Sequence, residues 1–375
     1  MVSSKRYKVT FQPEGKRTEV SKHSSVMDAA KLLGVDLIAL CGSKGKCGKC
    51  KIIISEKREN AGSITEIEKS QLSNNELSSG YRLACCTAIK GSLNVIIPEQ
   101  SRTGTQRLQT EGIDTRVPLE PFVKKFYVQL PLPTLQDPQS DVDRLSKELF
   151  SRHHLQNLQV EYDLLKRLPQ VLRDNEWKVT AIVWGDNQIV DIEGGDTQDR
   201  NYGYAVDVGT TKLAGYLLSL NNGKILAVGS LMNPQISFGE DLITRISYAT
   251  KGSEKANDLQ QAVVSGINQI LMEVCQKMDI DPTEIYEMTA VGNTAMHHLF
   301  FGLNPKYLSL SPYPPLVRDS LNVEPDKIGV NINPNGNIHF LPVIAGFVGA
   351  DTVAVILSTE LFKRDELCFA VDIGT

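Results

Sequence analysis

The sequence predicts a multidomain α+β protein, and three observations support this fold class. The chain has 375 residues, which is enough for two or three domains. Its first 98 residues alternate short strand patterns with short capped helices around five of the seven cysteines. A strand that runs into Asp-x-Gly-Thr appears at residues 204–210 and again at residues 369–375, which suggests two related halves of a further α/β unit.

The four N-terminal cysteines predict an iron–sulfur cluster. Cys41, Cys47 and Cys50 lie in ALCGSKGKCGKCKIII, and Cys85 follows in YRLACCTAI. A cluster of two irons and two sulfides needs four thiolates, here three from one loop and one from a distant turn. The glycines between the loop cysteines allow backbone N–H groups to approach the sulfurs, because a Cβ would clash or forbid the dihedral angle.

Two other interpretations of these cysteines stay open. Structural zinc usually takes two separated C-x2-C pairs, and this chain has one such pair. Disulfides need an oxidising compartment, but the first twenty residues lack the apolar core of a signal peptide. The cluster is the interpretation that the spacing favours.

The turn Arg82-Leu83-Ala84-Cys85 resembles the last-ligand turn of plant- and adrenodoxin-type ferredoxins. The resemblance implies that Cys85 is the fourth ligand and that Cys86 is an extra thiol.

The order of elements over residues 5–98 resembles a β-grasp [2Fe-2S] ferredoxin, so we assign residues 1–98 to such a domain. The patterns predict, in order, a hairpin of strands at 7–11 and 18–20, a helix capped by Ser25, a strand at 51–55, a helix with the capping box Thr65-x-x-Glu68, and a strand at 93–97.

The next two segments show no catalytic pattern. Residues 99–120 are poor in large apolar side chains and predict a linker, with an ordered arm packed on a neighbour as the alternative. Residues 121–202 predict a small α/β middle domain. Its predicted elements are a strand at 126–132, helices at 141–151 and 160–172, and a hairpin of strands at 177–184 and 188–193.

The repeated Asp-x-Gly-Thr motif has the chemistry of a phosphate loop. Glycine lets backbone N–H groups approach an anion, Thr hydroxyls donate to phosphate oxygens, and an Asp at a strand end holds Mg²⁺. The pair of motifs resembles the actin-like ATPase superfamily, in which two such hairpins clamp ATP. The resemblance implies a partial actin-like (ribonuclease-H-like) domain at 203–375. It implies a first loop of Asp207, Gly209, Thr210 and Thr211, and the start of a second loop at Asp372, Gly374 and Thr375.

Two glycine-containing turns into predicted helices belong to the same unit. They are VGNTAMHH at 291–298 and AGFVGADT at 345–352, and Gly349 and Asp351 of the second are candidate nucleotide contacts. The alternative for both turns is tight strand–helix packing that needs small residues. His297 and His298 are expected as helix positions rather than as metal ligands.

A ferredoxin joined to an actin-like unit, together with the stretches NPQ…FGEDLITRI at 233–246, GNTAMHHL and GFVGADT, resembles the reductive activators of corrinoid proteins. The resemblance implies reduction of a cobalt(II) cobamide to cobalt(I) at the expense of ATP, in a methyl-transfer system. The implied partners are a corrinoid protein and an upstream donor, a ferredoxin or a flavin reductase. The alternatives are an electron-transfer module whose other unit senses nucleotide without hydrolysis, and a small-molecule kinase with a zinc staple.

The last residue, Thr375, falls inside the second predicted phosphate loop. We therefore expect this chain to be a fragment and to bind ATP weakly or not at all. The resemblance implies an ATP-dependent corrinoid reductase for the intact protein, and we do not expect this chain to be a competent ATPase.

Composition narrows the function classes. The net charge of −4 is too close to neutral to suggest nucleic-acid binding. No apolar run approaches the roughly 18 residues of a membrane span. Seven cysteines without a secretory signal predict a reducing cytoplasm.

Overall fold

In the computed structural model, residues 6–35, 37–39, 41–102 and 118–371 are described, and they form three separate sheets. The predicted site residues Asp372, Gly374 and Thr375 lie outside the described residues, and so does most of the predicted linker. No described helix is long and apolar enough to cross a bilayer.

The first sheet has five strands in the order β2-β1-β5-β3-β4. β1 and β5 are parallel and the other neighbours are antiparallel, so the chain returns to the middle of the sheet after the cysteine turn. The elements are β1 (Arg6–Gln12), β2 (Lys16–Ser21), α1 (Val26–Leu32), β3 (Lys51–Glu56), α2 (Glu66–Gln71), α3 (Asn74–Ser78), β4 (Tyr81–Leu83) and β5 (Leu93–Ile96).

The predicted helix starts in this unit are confirmed. Ser25 accepts from the backbone N–H of Asp28, and Asp28 in turn accepts from Ser25. Thr65 and Glu68 form the predicted capping box in the same way, which satisfies N–H groups that a helix start leaves without intrahelical partners. Ser73 and Glu76 form a third box at α3, which was not predicted from the sequence.

The second sheet is built by residues 123–194 and has the strand order β6-β8-β9-β7. The predicted hairpin is confirmed, since β8 and β9 pair antiparallel. The two helices bury leucines that are four residues apart, which is why each packs one face on the sheet. The elements are β6 (Val123–Gln129), α4 (Asp141–His153), β7 (Gln159–Val160), α5 (Tyr162–Asp174), β8 (Lys178–Trp184) and β9 (Gln188–Gly194).

The third sheet has the order β12-β11-β10-β13-β15-β14. Three antiparallel strands come first, and β13 and β15 then continue the sheet parallel to β10. The elements are β10 (Tyr202–Val208), β11 (Lys212–Ser219), β12 (Ile225–Met232), α6 (Leu242–Ala249), α7 (Ser253–Met278), β13 (Ile285–Val291), α8 (Thr294–Phe300), β14 (Leu321–Val323), α9 (Pro325–Ile328), β15 (Asn337–Phe340) and α10 (Ala350–Ser358).

The long helix α7 covers the antiparallel half of this sheet. Its buried side chains, such as Leu259, Val263 and Ile267, recur every three or four residues and join the main core. A Cβ at Gly215 would lie 2.9 Å from Ile270 Cγ2, and a Cβ at Gly229 would lie 2.7 Å from the same atom. Both glycines therefore allow the helix to approach the sheet closely.

The second copy of the Asp-x-Gly-Thr motif does not form a strand in its described part. The sequence predicts a buried strand there, like β10 in the first copy. Phe369 and Val371 are instead 91% and 66% exposed and belong to no sheet. A strand of this composition is stable only when neighbouring strands pair with it, and no described strand does so.

A polar network joins the second and third sheets. Tyr286 on β13 donates its hydroxyl to Asp191 Oδ2 at 3.0 Å or Glu193 Oε1 at 2.9 Å. Trp184 Nε1 donates to Glu287 Oε2 at 3.0 Å. These contacts fix the middle unit against the outer face of β13.

Candidate functional site

The four predicted ligand cysteines come together as two pairs of sulfurs. Cys47 Sγ lies 3.5 Å from Cys41 Sγ, and Cys50 Sγ lies 3.4 Å from Cys85 Sγ. A [2Fe-2S] cluster takes two thiolates on each iron, so one pair per iron suits the donor set. Among the described residues, no group of three or more His, Cys, Asp or Glu side chains is arranged around a single metal ion.

The glycines of the cysteine loop have the backbone conformation that the sequence analysis anticipated. Gly42, Gly45 and Gly48 have φ of 58°, 70° and 65°, which is the left-handed region that a side chain disfavours. These turns direct backbone N–H groups at the sulfurs. Burial opposes ionisation of Cys41, but N–H groups of the loop, including that of Lys46, hold its pKa below the ordinary value.

The inner pair is the more buried of the two. Cys50 is 3% exposed. The hydrogen bond from the Cys85 thiol outweighs burial and, with backbone N–H groups, lowers the pKa of Cys50 to about 7. The Cys85 pKa is raised, because it donates that hydrogen bond and is itself buried. The pair therefore already favours one thiolate, which is the form that binds iron.

Cys86 stands beside this site without joining either pair. Its Sγ lies 3.7 Å from Cys85 Sγ, and it packs near Gly45. Burial raises the pKa of Cys86, so its thiol form is favoured. This arrangement agrees with an extra packed thiol.

A buried ion pair holds the turn that bears Cys85. Arg82 donates from Nε to Glu68 Oε1 at 2.8 Å and from Nη2 to Oε2 at 3.0 Å, and Leu83 N donates to Glu68 Oε1 at 3.1 Å. Although burial opposes ionisation of Glu68, the bonds from Arg82 and from backbone N–H groups lower its pKa. The same Glu68 completes the capping box of α2, so one carboxylate ties the helix to the cysteine turn.

The predicted phosphate loop lies where three parallel strands end. It follows β10, while Gly292 follows β13 and Gly349 precedes α10 at the same edge of the sheet. The segments approach closely: a Cβ at Gly292 would lie 2.7 Å from Val208 O, and one at Gly349 would lie 2.4 Å from Asn293 Cα. This carboxyl edge is where ligands bind in sheets of this kind.

The individual loop residues occupy distinct positions. Asp207 is exposed near the end of β10, and Thr210 is buried, with its Oγ1 accepting from Asn293 Nδ2 at 2.9 Å. At Gly209 a Cβ would meet Lys212 O at 2.5 Å, so the tight turn needs glycine. Asp351 lies in the first turn of α10, whose Ala350 N donates to Gly292 O at 2.9 Å. The structure thus brings Asp207, Gly209, Thr210, Thr211, Gly349 and Asp351 to one edge.

Asn233 supports this loop and was not predicted as a site residue. It is fully buried, its Nδ2 donates to Gly209 O at 2.8 Å, and its N donates to Thr211 O at 2.9 Å. The available signal was Asn-Pro, typical of a cap, and Asn233 does cap the short helical turn at Pro234–Ser237. Nothing in the sequence indicates its reach across to the loop.

Arg245 is buried next to the same region, and no carboxylate among the described residues is bonded to it. Nε donates to Gly239 O at 2.7 Å and Nη1 donates to Gln235 Oε1 at 3.2 Å. Burial lowers the pKa of Arg245 to about 9, partly offset by the charges of Asp241 and Glu240. The hydrogen bonds of Arg245 hold in place the segment that lies between Asn233, which supports the loop, and helix α6.

The two adjacent histidines are structural helix positions, as expected. His298 donates from Nδ1 to Thr294 O at 2.8 Å and accepts at Nε2 from Leu316 N at 3.1 Å, which is the pattern of a neutral ring. Burial, and secondarily His298, lowers the pKa of His297 to about 4.

Comparison with family models divides the chain into three matched regions. Residues 9–90 match the 2Fe-2S iron-sulfur cluster binding domain. Residues 112–199 match the RACo linker region, and residues 202–364 match the RACo middle region. The first of these matches contains the four paired cysteines.

Individual proteins show the same relationship. The chain is 31% identical over 372 residues to the corrinoid activation enzyme RamQ of Eubacterium limosum, a match that covers 98% of this chain and 58% of RamQ. It also matches one component of the Na(+)-translocating NADH-quinone reductase of Actinobacillus pleuropneumoniae, at 36% identity over 98 residues, 26% of this chain and 23% of that protein.

The match to a solved structure also extends over nearly the whole chain. The reductive activator for corrinoid, iron-sulfur protein superposes with a TM-score of 0.63 at 34% identity, covering 96% of this chain and 59% of that one. The chain therefore spans a little under three-fifths of the length of these two long matches. With a 2Fe-2S domain followed by two RACo regions, this chain belongs to the family of reductive activators of corrinoid proteins.

Proposed function

We propose that this chain takes part in reductive activation of a corrinoid protein by supplying one electron that converts cobalt(II) to cobalt(I). The observation that supports this most directly is the pairing of Cys41 with Cys47 and of Cys50 with Cys85. A [2Fe-2S] cluster held by these residues would supply one electron at a time. RamQ and the solved activator are named for activity on corrinoid systems.

ATP is part of the proposal because the electron must run uphill. Clusters of the plant ferredoxin type lie at about −400 mV, whereas cobalt(I) is a very strong reductant. ATP does not move the electron itself; its binding energy favours a complex in which the cobalt coordination, and so its potential, is changed. The phosphates and Mg²⁺ would lie at the edge formed by Asp207, Thr210, Thr211 and Asp351.

The electron donor is proposed to be a ferredoxin or a flavin reductase. Lys44, Lys46 and Lys49 are all exposed on the cysteine loop, so the cluster would be rimmed by positive charge. Such a rim favours an acidic donor surface and steers its approach. Raising the ionic strength should therefore slow reduction of the chain by an acidic donor, and charge-neutral variants of the three lysines should lose that salt dependence.

The proposed function is tested by anaerobic rapid mixing. Chemically reduced chain is mixed with a cobalt(II) corrinoid protein, and the cobalt(I) absorbance is followed with and without Mg-ATP. We expect cobalt(I) to form with the cluster reoxidised in equal amount, and the chain with Cys50→Ser to form none. Absence of cobalt(I) under all conditions would contradict the proposal. Binding of Mg-ATP by this chain is measured in parallel with a fluorescent ATP analogue, and if ATP binds, an equal cobalt(I) yield with and without it would contradict the coupling.

A further inference from the structure

One contact between the ferredoxin unit and the third unit is made by a lysine of helix α1. Lys31 Nζ lies 4.9 Å from the ring centroid of Phe238 and 5.1 Å from that of Tyr248. The two rings pack edge to face, with centroids 5.1 Å apart. A cation within about 6 Å of two aromatic rings is attracted by both.

Acidic groups complete the surroundings of this lysine. Asp258 on α7 accepts from Tyr248 Oη at 2.8 Å and from Lys255 Nζ at 3.3 Å. Burial lowers the pKa of Lys31, while Asp28 and Asp258 oppose that shift and Lys251 and Lys255 add to it. Lys251 Nζ and Lys255 Nζ also lie 5.6 Å from the Tyr248 ring centroid, so the contact with Phe238 and the burial are what distinguish Lys31 from these two lysines.

The cysteine loop meets the same surface a short distance away. A Cβ at Gly42 would lie 2.7 Å from Thr244 Cγ2 and 3.3 Å from Phe238 O. The residue that follows Cys41 is thus in contact with the start of α6. A cleft of about 610 Å³, lined by Leu32 and Gly34 on one side and Gln269 on the other, continues this contact.

The segment at residues 233–238, which contacts the ferredoxin unit, also supports the predicted phosphate loop. Phe238 lies five residues after Asn233, whose amide donates to Gly209 O. Between them, Gln235 accepts from Arg245, which is on α6. One short piece of chain thus touches both candidate sites.

The charge distribution favours the same contact. Between residues 6 and 98, Lys and Arg outnumber Asp and Glu, whereas the whole chain has 40 Lys and Arg against 44 Asp and Glu. The remainder of the chain is accordingly acidic, and opposite net charges attract the two units over a distance.

We propose that Phe238, Tyr248 and Asp258 form an internal docking site for Lys31, and that docking there holds the Cys41 side of the cysteine loop against α6. In this arrangement Lys44, Lys46 and Lys49 stay exposed, so the side that faces an electron donor remains open. Release of Lys31 frees the ferredoxin unit to present the covered side to another protein. This inference goes beyond the proposed function, since it needs neither ATP nor a corrinoid protein.

The test is hydrogen–deuterium exchange on the full chain, with small-angle X-ray scattering on the same samples. Lys31→Ala should speed exchange about two- to fivefold in residues 26–32 and 242–249 and enlarge the scattering radius. Exchange in β1, β5 and β10 should not change. Lys90→Ala, at an exposed lysine of the same unit, is the matched control and should leave every region unchanged.

A charge exchange makes the test specific. The double variant Lys31→Glu with Asp258→Lys should restore part of the protection that Lys31→Glu alone removes. Unchanged exchange and radius in Lys31→Ala would overturn the proposal, and so would equal effects of Lys90→Ala. A loss of exchange protection that spreads to β1 and β5 would also overturn it, because Lys31 would then be needed for the fold and not for docking.

Discussion

The two candidate sites of this chain are built in different ways. The cysteine site is contained within residues 41–85, where glycine turns and the Glu68–Arg82 pair position all four thiols. The phosphate edge takes its groups from four separated segments near Gly209, Asn233, Gly292 and Gly349. A site of the first kind is changed by local substitutions, whereas one of the second kind depends on how a whole sheet and its helices pack.

The largest expected effect is the difference between substituting Cys85 and substituting the adjacent Cys86. Cys85→Ser should abolish the cluster absorbance, because it removes one of two thiolates from an iron. Cys86→Ser should keep it, since the Cys86 sulfur belongs to neither pair. The measurement is the visible spectrum after anaerobic reconstitution. Loss of the cluster in Cys86→Ser and its retention in Cys85→Ser would show that the ligand is assigned to the wrong residue.

The next effect concerns the buried carboxylate behind the cysteine turn. Glu68→Gln leaves Arg82 buried without its partner and should destabilise the ferredoxin unit by about 3–5 kcal/mol. Glu66→Gln on the same helix is the control, because Glu66 is 88% exposed and its pair with Lys69 contributes about 0–1 kcal/mol. Denaturant unfolding followed by cluster absorbance measures both. Equal midpoints for the two variants would contradict the positioning role of Glu68.

This carboxylate also sets a pH dependence. The pKa of Glu68 is depressed in the fold, so its contribution is fully present above the ordinary glutamate pKa of about 4.3 and is lost as the pH falls through the depressed value. The unfolding midpoint of the ferredoxin unit should therefore drop at acid pH, and Glu68→Gln should flatten that drop. If the unfolding midpoint falls equally steeply at acid pH in both proteins, the pH dependence comes from other groups.

A smaller effect is expected at the support of the phosphate edge. Asn233→Ala removes the donor to Gly209 O from a fully buried position and should destabilise the third unit by about 1–3 kcal/mol, with faster amide exchange in residues 209–211. Asn221→Ala removes an exposed hydrogen bond to Gln198 O and should change stability by about 0.5 kcal/mol or less. If the two variants unfold alike, Asn233 does not hold the loop.

A second pH trend, opposite to that of Glu68, is expected for the third unit. Burial raises the pKa of Glu287 to about 7, with bonds from Trp184 and Asn337 opposing the shift. The folded state then binds a proton more tightly than the unfolded state, so stability should fall as the pH rises from about 4.3 to about 7. Glu287→Gln should remove this decline in urea titrations of the third unit. A variant that still loses stability across this range would show that another group titrates.

The sequence predicted the two sites unequally, for a physical reason. Cysteine spacing, loop glycines, the cap at Ser25 and the capping box at Thr65 are local signals, and the structure has all of them. The support from Asn233 depends on a contact 24 residues away, and the fit of Gly349 against Asn293 depends on a contact 56 residues away. Such contacts arise only when the sheet forms, so they cannot be predicted from the spacing of residues along the chain.

The strand predicted near Phe369 failed for a related reason. Its pattern matches that of β10, but β10 is buried because β11 and β13 pair with it on both sides. No described strand pairs with residues 369–371. A local pattern therefore predicts a strand correctly only where its neighbours are also present.

The central claim is that the amino-terminal unit holds two irons between two pairs of thiols. The most direct measurement is an iron, sulfide and zinc count per chain after anaerobic reconstitution, together with the electron paramagnetic resonance spectrum of the reduced protein. The account predicts about two irons and two sulfides per chain and the signal of a reduced [2Fe-2S] centre. A chain that stays free of iron, or that contains about one zinc and gives no signal, would contradict it.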